Sequence, residues 1–455
     1  MYRKYLRDMT EWKDSLERKP LIVWGARQVG KTYLVKDLFA EQYFKGRYVY
    51  IDCRTDYRFT DYCLEHVNAD DILKFISVER GIRIDSSTLL IFDEAQECPP
   101  VITLMKYFCQ DHRDIPVIVT GSMIRMSIKR RMTKRGASNQ EEFLFPIGKI
   151  NQLTVYPMTF DEVLYNRNEQ LYDLIKEHYT TKKPLEKQYH DLAMDIFYDY
   201  MRVGGMPEAV DVFLRKNDIN AAVSTLADLY DNYLADMELY QASPESVVRS
   251  KAIFSKIFSQ LNTGGKNFKS SAVEPHARNR DLQNPMNWLT ASHLIQISEQ
   301  KTGHVTLPLV PDGNIHRIYL CDVGMFSYQS KTESISFITD EGRNMLSGIF
   351  FENYVATELA AKNIGLYYWC GKGNSEFEFI VPDRNFVIPI IVKKSRGTIR
   401  SLEKFKKDNE FNFAIKVSAN NYRFDETKRI LTVPFYEFPF LAEDLAKGND
   451  ILSEH

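Results

Sequence analysis

The first part of the chain alternates short apolar runs with helical patterns. Runs at 20–24, 48–52, 89–92 and 116–120 have the length and composition of buried strands. Helix-like segments separate them, for example at 32–40 and 101–108. Strands that alternate with helices predict a parallel sheet with helices on both faces, so this part of the chain is expected to fold as an α/β domain.

The next part of the chain is mainly helical in pattern. Thr159 stands three residues before Glu162, which predicts a capping box at a helix start. Helical patterns then predominate to about residue 240, with a break forced by the glycines and proline of 203–209. Further helices are predicted at 253–261 and 281–292, and two short strands at 294–297 and 305–307.

The last third combines a helix with strands. A helix is predicted over 348–361, with apolar residues on one face and glutamates elsewhere. The apolar residues are Phe351, Val355 and Leu359, and the glutamates are Glu352 and Glu358. Segments 366–369, 376–380 and 387–393 alternate or run apolar as strands do.

One segment between the first strand and the following helix carries the most specific chemistry. It reads Gly25-Ala26-Arg27-Gln28-Val29-Gly30-Lys31-Thr32 and is followed by Tyr33. Glycines at these positions let backbone N–H groups approach phosphate oxygens, and the helix start points its positive end at the same anion. Lys31 is expected to reach the β- and γ-phosphates of ATP, and Thr32 to hold Mg²⁺. The segment 25–33 is therefore predicted to bind the nucleotide.

Two carboxylates follow the strand at 89–92, where open α/β sheets bind their ligands. Asp93 is expected to hold the magnesium ion through water, and Glu94 to orient and deprotonate the attacking water. P-loop ATPases with an additional strand place a polar residue after the strand corresponding to 116–120, and here Ser122 is the first candidate and Thr120 the second. Lys31, Glu94 and Ser122 are thus the predicted catalytic residues, and Thr32 and Asp93 the predicted metal ligands.

Composition narrows the class of protein. The chain has 455 residues, too many for one compact domain, and 59 Lys and Arg balance 61 Asp and Glu, so any nucleic-acid contact must be local. No apolar run has the length of a membrane span and no signal-peptide pattern is present, so no membrane partner is expected. Six scattered cysteines predict neither a disulfide framework nor a zinc site and fit a cytoplasmic location.

A basic stretch follows Ser122. Six of the eleven residues at 125–135 are basic, namely Arg125, Lys129, Arg130, Arg131, Lys134 and Arg135. Such a stretch contacts DNA phosphates, supplies an arginine to the nucleotide of a neighbouring subunit, or forms a solvated loop. Arg125 is the candidate for the supplied arginine.

Five segments in this order resemble prokaryotic AAA-type ATPases with a C-terminal domain of unknown function 4143. The segments are 25–32, 92–96, 120–122, 156–162 and 204–209. The resemblance covers almost the whole chain and implies four parts. These are a P-loop ATPase core at 1–165, a helical lid at 166–243, a winged-helix-like module at 244–330 and a restriction-endonuclease-like α/β domain at 331–455.

The resemblance leaves the role of Lys149 and the function of the winged-helix-like module open. Lys149 stands after Gly148, where the family usually has arginine, and lysine keeps the charge but lacks the planar fork that binds phosphate bidentately. The winged-helix-like module either reads DNA, with Arg278 and Arg280 near its second helix, or serves as a packing domain.

The C-terminal domain decides whether the chain is also a nuclease. Endonuclease-like domains place one carboxylate on a strand and a Glu-x-Lys on the next, because metal-dependent hydrolysis needs converging oxygen ligands. Glu378 and Lys393 occupy the first and last positions, but Ile391 stands where the second glutamate belongs. Isoleucine cannot bind Mg²⁺, so the domain is expected to be inactive unless Glu376 or Glu352 supplies the ligand.

The sequence as a whole predicts a cytoplasmic, magnesium-dependent ATPase that uses ATP to rearrange its C-terminal domains, with a protein partner of unknown identity. Two alternatives stay open at this level. One is a nucleotide-gated DNA-binding module, and the other is an ATP-regulated, metal-dependent nuclease.

Overall fold

The computed structural model of the chain describes residues 1–122, 145–241, 243–332, 337, 339–373, 375–393 and 400–452. The chain divides into two compact units. The N-terminal unit consists of Arg3–Tyr156 and Ala291–His293. The C-terminal unit consists of Met1–Tyr2, Pro157–Thr290 and Leu294–His455.

A parallel sheet forms the centre of the N-terminal unit. Its strands are β1 (Leu21–Trp24), β2 (Tyr48–Asp52), β3 (Leu89–Asp93), β4 (Val117–Thr120) and β5 (Asn151–Thr154). They lie in the order β2-β3-β4-β1-β5, and every neighbouring pair is parallel. The predicted parallel α/β sheet is therefore confirmed. Edge strand β5 was not predicted, because its residues are exposed or half-buried and form no apolar run.

Burial explains the sequence pattern of these strands. Every residue of β1, β3 and β4 is buried, as expected for central strands covered on both faces, whereas edge strand β2 alternates between buried and half-buried positions. Helices accompany the sheet, and the segment after β1 begins as a π-helix. The helical segments are Tyr5–Asp14, Tyr33–Ala40, Glu41–Phe44, Tyr57–Glu65, Ala69–Arg80 and Pro100–Asp111.

The first half of the C-terminal unit is helical. Its helices are Phe160–Arg167, Glu169–Thr181, Lys187–Val203, Pro207–Lys216, Ile219–Tyr240, Pro244–Ser255, Ile257–Leu261, Ser270–Val273 and Asn279–Ala291. The capping box predicted at Thr159 is confirmed, since its N–H donates to Glu162 Oε2 at 3.1 Å. Among the described residues, no helix combines the length and apolar character needed to cross a bilayer.

The rest of the C-terminal unit contains a mixed sheet. Its strands are β6 (Ile295–Thr302), β7 (His316–Leu320), β8 (Tyr367–Gly371), β9 (Ser375–Asp383), β10 (Phe386–Val392), β11 (Ala414–Ser418), β12 (Arg423–Asp425) and β13 (Ile430–Pro434). Their order is β12-β13-β11-β10-β9-β8-β6-β7. The helical segments of this part are Val323–Ser330, Asp340–Met345, Gly348–Ala361, Arg400–Asp408, Phe435–Glu437 and Phe438–Lys447.

One local prediction in this unit is wrong. No strand forms at 305–307, and β6 pairs instead with β7 on one side and β8 on the other. The helix predicted over 348–361 is confirmed as Gly348–Ala361, and it is buried at every position after Gly348. The sheet joins strands from both sides of residue 330, and the domain boundaries at 165, 243 and 330 stay predictions.

The glycine pair at the helix break allows a close backbone crossing. Gly205 accepts a hydrogen bond from Met158 N–H at 2.6 Å and donates its own N–H to Asp322 Oδ2 at 2.6 Å. Asp322 also caps the helix Val323–Ser330 by accepting from Met325 N–H. Burial raises the pKa of Asp322 to about 6, although these backbone donors oppose the shift. Glycine is required here because there is no room for a side chain between these groups.

The Gly205→Ala substitution tests this crossing. A Cβ at residue 205 would lie 1.9 Å from Met158 O, so the backbone must shift. We expect the free energy of unfolding to fall by about 3 kcal/mol, measured as a lower thermal midpoint. Gly264→Ala is the matched control, because its Cβ meets no atom within 4 Å. Equal midpoints for the two variants would contradict the close crossing.

Candidate functional site

The glycine-rich segment 25–32 lies at the carboxyl end of β1, between that strand and the π-helix Tyr33–Ala40. Its backbone turns through left-handed conformations, with φ of 142° at Gly25, 62° at Gln28 and 84° at Gly30. A Cβ at Gly25 would lie 2.2 Å from the carbonyl oxygen of Val155, so this position excludes any side chain. The segment therefore has the turns that bring backbone N–H groups together around an anion.

Lys31 is folded back onto the loop. Its ammonium donates to the carbonyl oxygens of Ala26 at 2.7 Å and Gly25 at 3.2 Å, and the residue is only 8% exposed. Burial lowers its pKa to about 8, although the negative charges of Glu94 and Asp93 favour the protonated form. Phosphate oxygens in the loop would supply the additional negative charge that stabilises a buried ammonium.

Asp93 connects the loop to the sheet. Its Oδ2 accepts hydrogen bonds from Thr32 Oγ1 and from Tyr50 OH, both at 2.7 Å. Its Oδ1 accepts from the Thr120 hydroxyl and from the Glu94 N–H, the latter at 3.0 Å. The carboxylate is 3% exposed and is held by four donors from four segments of chain. The structure thus brings together Thr32 and Asp93, the two predicted metal ligands.

The other predicted catalytic residues lie at the same edge of the sheet. Glu94 directly follows β3 in a left-handed conformation with φ of 51°, and its half-exposed side chain accepts a hydrogen bond from the Gln96 amide. Ser122 follows β4 and is 8% exposed. The Thr120 hydroxyl is already bonded to Asp93, which makes Ser122 the freer of the two candidates for contact with phosphate or water.

Two residues of this site escaped sequence analysis. Tyr50 points from edge strand β2 to Asp93, and burial with this hydrogen bond raises its phenol pKa. Arg3, which is 2% exposed, donates to the carbonyl oxygens of Val29 at 2.8 Å and Tyr156 at 2.7 Å. Neither residue gave a signal in the sequence, because both reach the site only through tertiary contacts.

Several basic residues considered in the sequence for contact with phosphate or DNA do not lie at this site. Lys149 lies in an exposed turn before β5, at the amino end of the parallel strands and thus opposite the loop. Arg278 and Arg280 are exposed in the C-terminal unit. The basic residues at 125–135, including Arg125, lie outside the described residues. Within the described ranges, no group of three or more His, Cys, Asp or Glu side chains is arranged to hold a metal ion.

The glutamates predicted as possible nuclease metal ligands lie close together in the C-terminal unit, but lysine side chains pair with them. Glu378 accepts from Lys393 Nζ at 2.7 Å and from Val392 N–H at 3.0 Å. Glu352 and Glu376 both accept from Lys266, a residue that sequence analysis did not select. Ile391 lines a cavity beside these groups and offers no ligand atom.

Family models match three parts of the chain. Residues 17–164 match the model of an AAA domain, residues 194–336 that of a domain of unknown function (DUF8612), and residues 347–436 that of a domain of unknown function (DUF4143). The resemblance inferred from the motifs is therefore confirmed at both ends of the chain. The AAA domain indicates binding and hydrolysis of ATP. No curated protein matches this sequence significantly.

The solved structures that this chain resembles have low sequence identity and low TM-scores. The Walker-type ATPase of Pyrococcus abyssi is 16% identical, with 72% of this chain and 95% of that chain covered and a TM-score of 0.41. AMPPCP-bound DnaA from Aquifex aeolicus is 13% identical, with 63% and 85% covered and a TM-score of 0.26. Drosophila ORC bound to DNA is 12% identical, with 64% and 86% covered and a TM-score of 0.24.

The Arg3→Met substitution tests whether this buried arginine supports the loop. Losing two charged hydrogen bonds is expected to lower the free energy of unfolding by about 2 kcal/mol or more. If about 1.4 kcal/mol of that loss comes from destabilising the loop conformation that binds ATP, the affinity for ATP falls about tenfold. Calorimetry and thermal unfolding measure the two effects. Arg7→Met, at a side chain 57% exposed, is the control, and equal behaviour of both variants would contradict the role.

Proposed function

We propose that this protein is a magnesium-dependent ATPase. The hydrogen bond between Thr32 Oγ1 and Asp93 Oδ2 carries the proposal, because it places the end of the glycine-rich loop beside the acidic end of β3. A hydroxyl and a carboxylate side by side suit Mg²⁺, which takes few protein ligands and keeps several waters. When bound, the metal would neutralise charge on the β- and γ-phosphates.

Each residue then has a defined task. Backbone N–H groups of the loop and Lys31 bind the phosphates and stabilise the charge of the transferred phosphoryl group. Thr32 and Asp93 hold the metal, with Asp93 acting through water. Glu94 orients the attacking water and accepts its proton, and Ser122 contacts the γ-phosphate or that water. Gln96 and Tyr50 support this arrangement by fixing Glu94 and Asp93.

We further propose that the nucleotide state changes the arrangement of the C-terminal unit. The N-terminal unit carries the candidate nucleotide site, and the C-terminal unit has its own sheet. This organisation is expected of a protein that uses ATP to drive a conformational change. On this proposal, hydrolysis is slow and serves to reset the conformation.

The Glu94→Gln substitution tests the assigned general base. Loss of proton acceptance is expected to lower kcat by about 10² to 10⁴, while ATP affinity stays close to that of the wild type. Steady-state phosphate release and equilibrium binding measure the two quantities. Glu97→Gln, three residues further on and exposed, is the matched control and should retain full turnover.

Two further results would contradict the ATPase assignment. One is undiminished turnover in Lys31→Ala, since the ammonium that binds the phosphates is then absent. The other is turnover that persists after Mg²⁺ is removed by a chelator.

Hydrogen exchange in the Glu94→Gln variant tests the coupling. With Mg²⁺ and ATP, this variant should stay in the ATP state, and amide protection in the C-terminal unit should differ from that with ADP. Lys31→Ala under the same conditions should show no difference. Identical protection with ATP and ADP in a Glu94→Gln protein that binds both would contradict the coupling and leave the hydrolysis assignment standing.

A further inference from the structure

Three glutamates converge in the C-terminal unit. Glu352 comes from the helix Gly348–Ala361, and Glu376 and Glu378 come from β9. Glu378 is fully buried and Glu352 is 3% exposed, while the side chain of Glu376 is 31% exposed. Oxygen ligands gathered in this way normally require a cation, because uncompensated buried carboxylates are costly.

The cations at this cluster are side chains. Lys266 Nζ lies 2.7 Å from Glu352 Oε1 and 2.9 Å from Glu376 Oε1, and so bridges two carboxylates. Arg317 pairs with Glu376 Oε2 at 2.7 Å, and Lys393 pairs with Glu378 Oε1 at 2.7 Å. Among the residues that the structure describes, three positive side chains therefore balance three negative ones.

The pKa shifts of Glu376 and Lys266 agree with this balance. Burial would raise the pKa of Glu376, but Arg317 and Lys266 lower it to about 2. Burial would lower the pKa of Lys266, but the carboxylates, Glu352 first among them, raise it instead. Glu376 and Lys266 are therefore both charged at neutral pH. Burial raises the pKa of Glu378, although the charge of Lys393 opposes that shift.

The loop that carries Lys266 is fixed from both sides. Lys266 adopts a left-handed conformation with φ of 52°, and its N–H donates to Thr263 O at 3.2 Å. Asn267 Oδ1 accepts from Tyr368 OH at 2.9 Å, and Phe268 N–H donates to His316 O at 2.9 Å. These contacts place the lysine stem so that its ammonium reaches the carboxylates.

The site retains features of a ligand cavity. A cavity of about 540 Å³ lies beside the cluster and is lined by residues that include Gly265, Arg317, Glu376, Ile391 and Lys393. Two buried polar atoms of the cluster, Glu352 Oε2 and Arg317 Nη1, have no hydrogen-bond partner within the described part of the chain. The first is an unused oxygen ligand on a residue that already contacts Lys266.

We infer that the Lys266 ammonium occupies the place of a divalent cation among Glu352, Glu376 and Glu378, so that this site is closed to metal by a cation of the chain itself. A divalent ion added beside three resident cations would leave two excess positive charges in a buried site. Removal of Lys266 reverses the balance and leaves one excess negative charge. The lysine therefore excludes metal-dependent hydrolysis here, and its loss creates a metal site.

Titration of the full-length protein with Mn²⁺, without nucleotide, tests the inference. Lys266→Met keeps the stem of the side chain and removes the charge, and we expect it to bind one more Mn²⁺ per chain than the wild type. The Lys266→Met/Glu378→Gln protein should lose that ion. Lys269→Met is the matched control, because Lys269 is an exposed lysine three residues further on, and it should bind as the wild type does. Binding by the nucleotide loop is common to all four proteins and cancels in the comparison.

Two results would overturn the inference. One is a folded Lys266→Met protein that gains no Mn²⁺, and the other is a wild type that binds the ion at this cluster as tightly as the variant. A second measurement needs no variant. Wild-type crystals soaked in Mn²⁺ should show no anomalous peak among the three glutamates, and a peak there would overturn the inference even if Lys266→Met failed to fold.

Discussion

The N-terminal unit depends on one carboxylate. Asp93 accepts four hydrogen bonds, and its donors come from the loop after β1, from β2, from β4 and from its own neighbour. A single group thus fixes the loop relative to three parallel strands. Its position at the carboxyl edge follows from the parallel topology, because the ends of neighbouring parallel strands meet there. The surrounding residues, including Arg3 beneath the loop, hold that arrangement in place.

The C-terminal unit also compensates carboxylates, but with cationic side chains. Lys266, Arg317 and Lys393 pair with the clustered Glu352, Glu376 and Glu378. A buried network of this kind gives little net stability, since desolvation offsets much of the attraction, but removal of one member leaves an uncompensated charge. This arrangement of carboxylates can therefore persist without a metal, and Ile391 beside the cavity offers no ligand atom.

Much of the N-terminal unit was predictable because its sequence patterns are local. Continuous apolar runs identify β1, β3 and β4, and the glycine spacing identifies the loop. Edge strand β5 and the supports Arg3 and Tyr50 were missed, since they depend on tertiary contacts that no local pattern encodes. The cluster at Lys266 shows the same limit. Lys266 lies 86 residues before Glu352 and 110 before Glu376 in sequence, in a loop that was predicted to belong to a different domain.

In the proposed site, Thr32 and Asp93 share one metal ion with a triphosphate. A crystal structure with a non-hydrolysable ATP analogue and Mn²⁺, phased at the manganese edge, tests this most directly. We expect an anomalous peak about 2.1 Å from Thr32 Oγ1, with Asp93 reached through water and Lys31 turned from the loop carbonyls toward the phosphates. A bound analogue with Lys31 still on Ala26 O, or a metal away from Thr32, would contradict it.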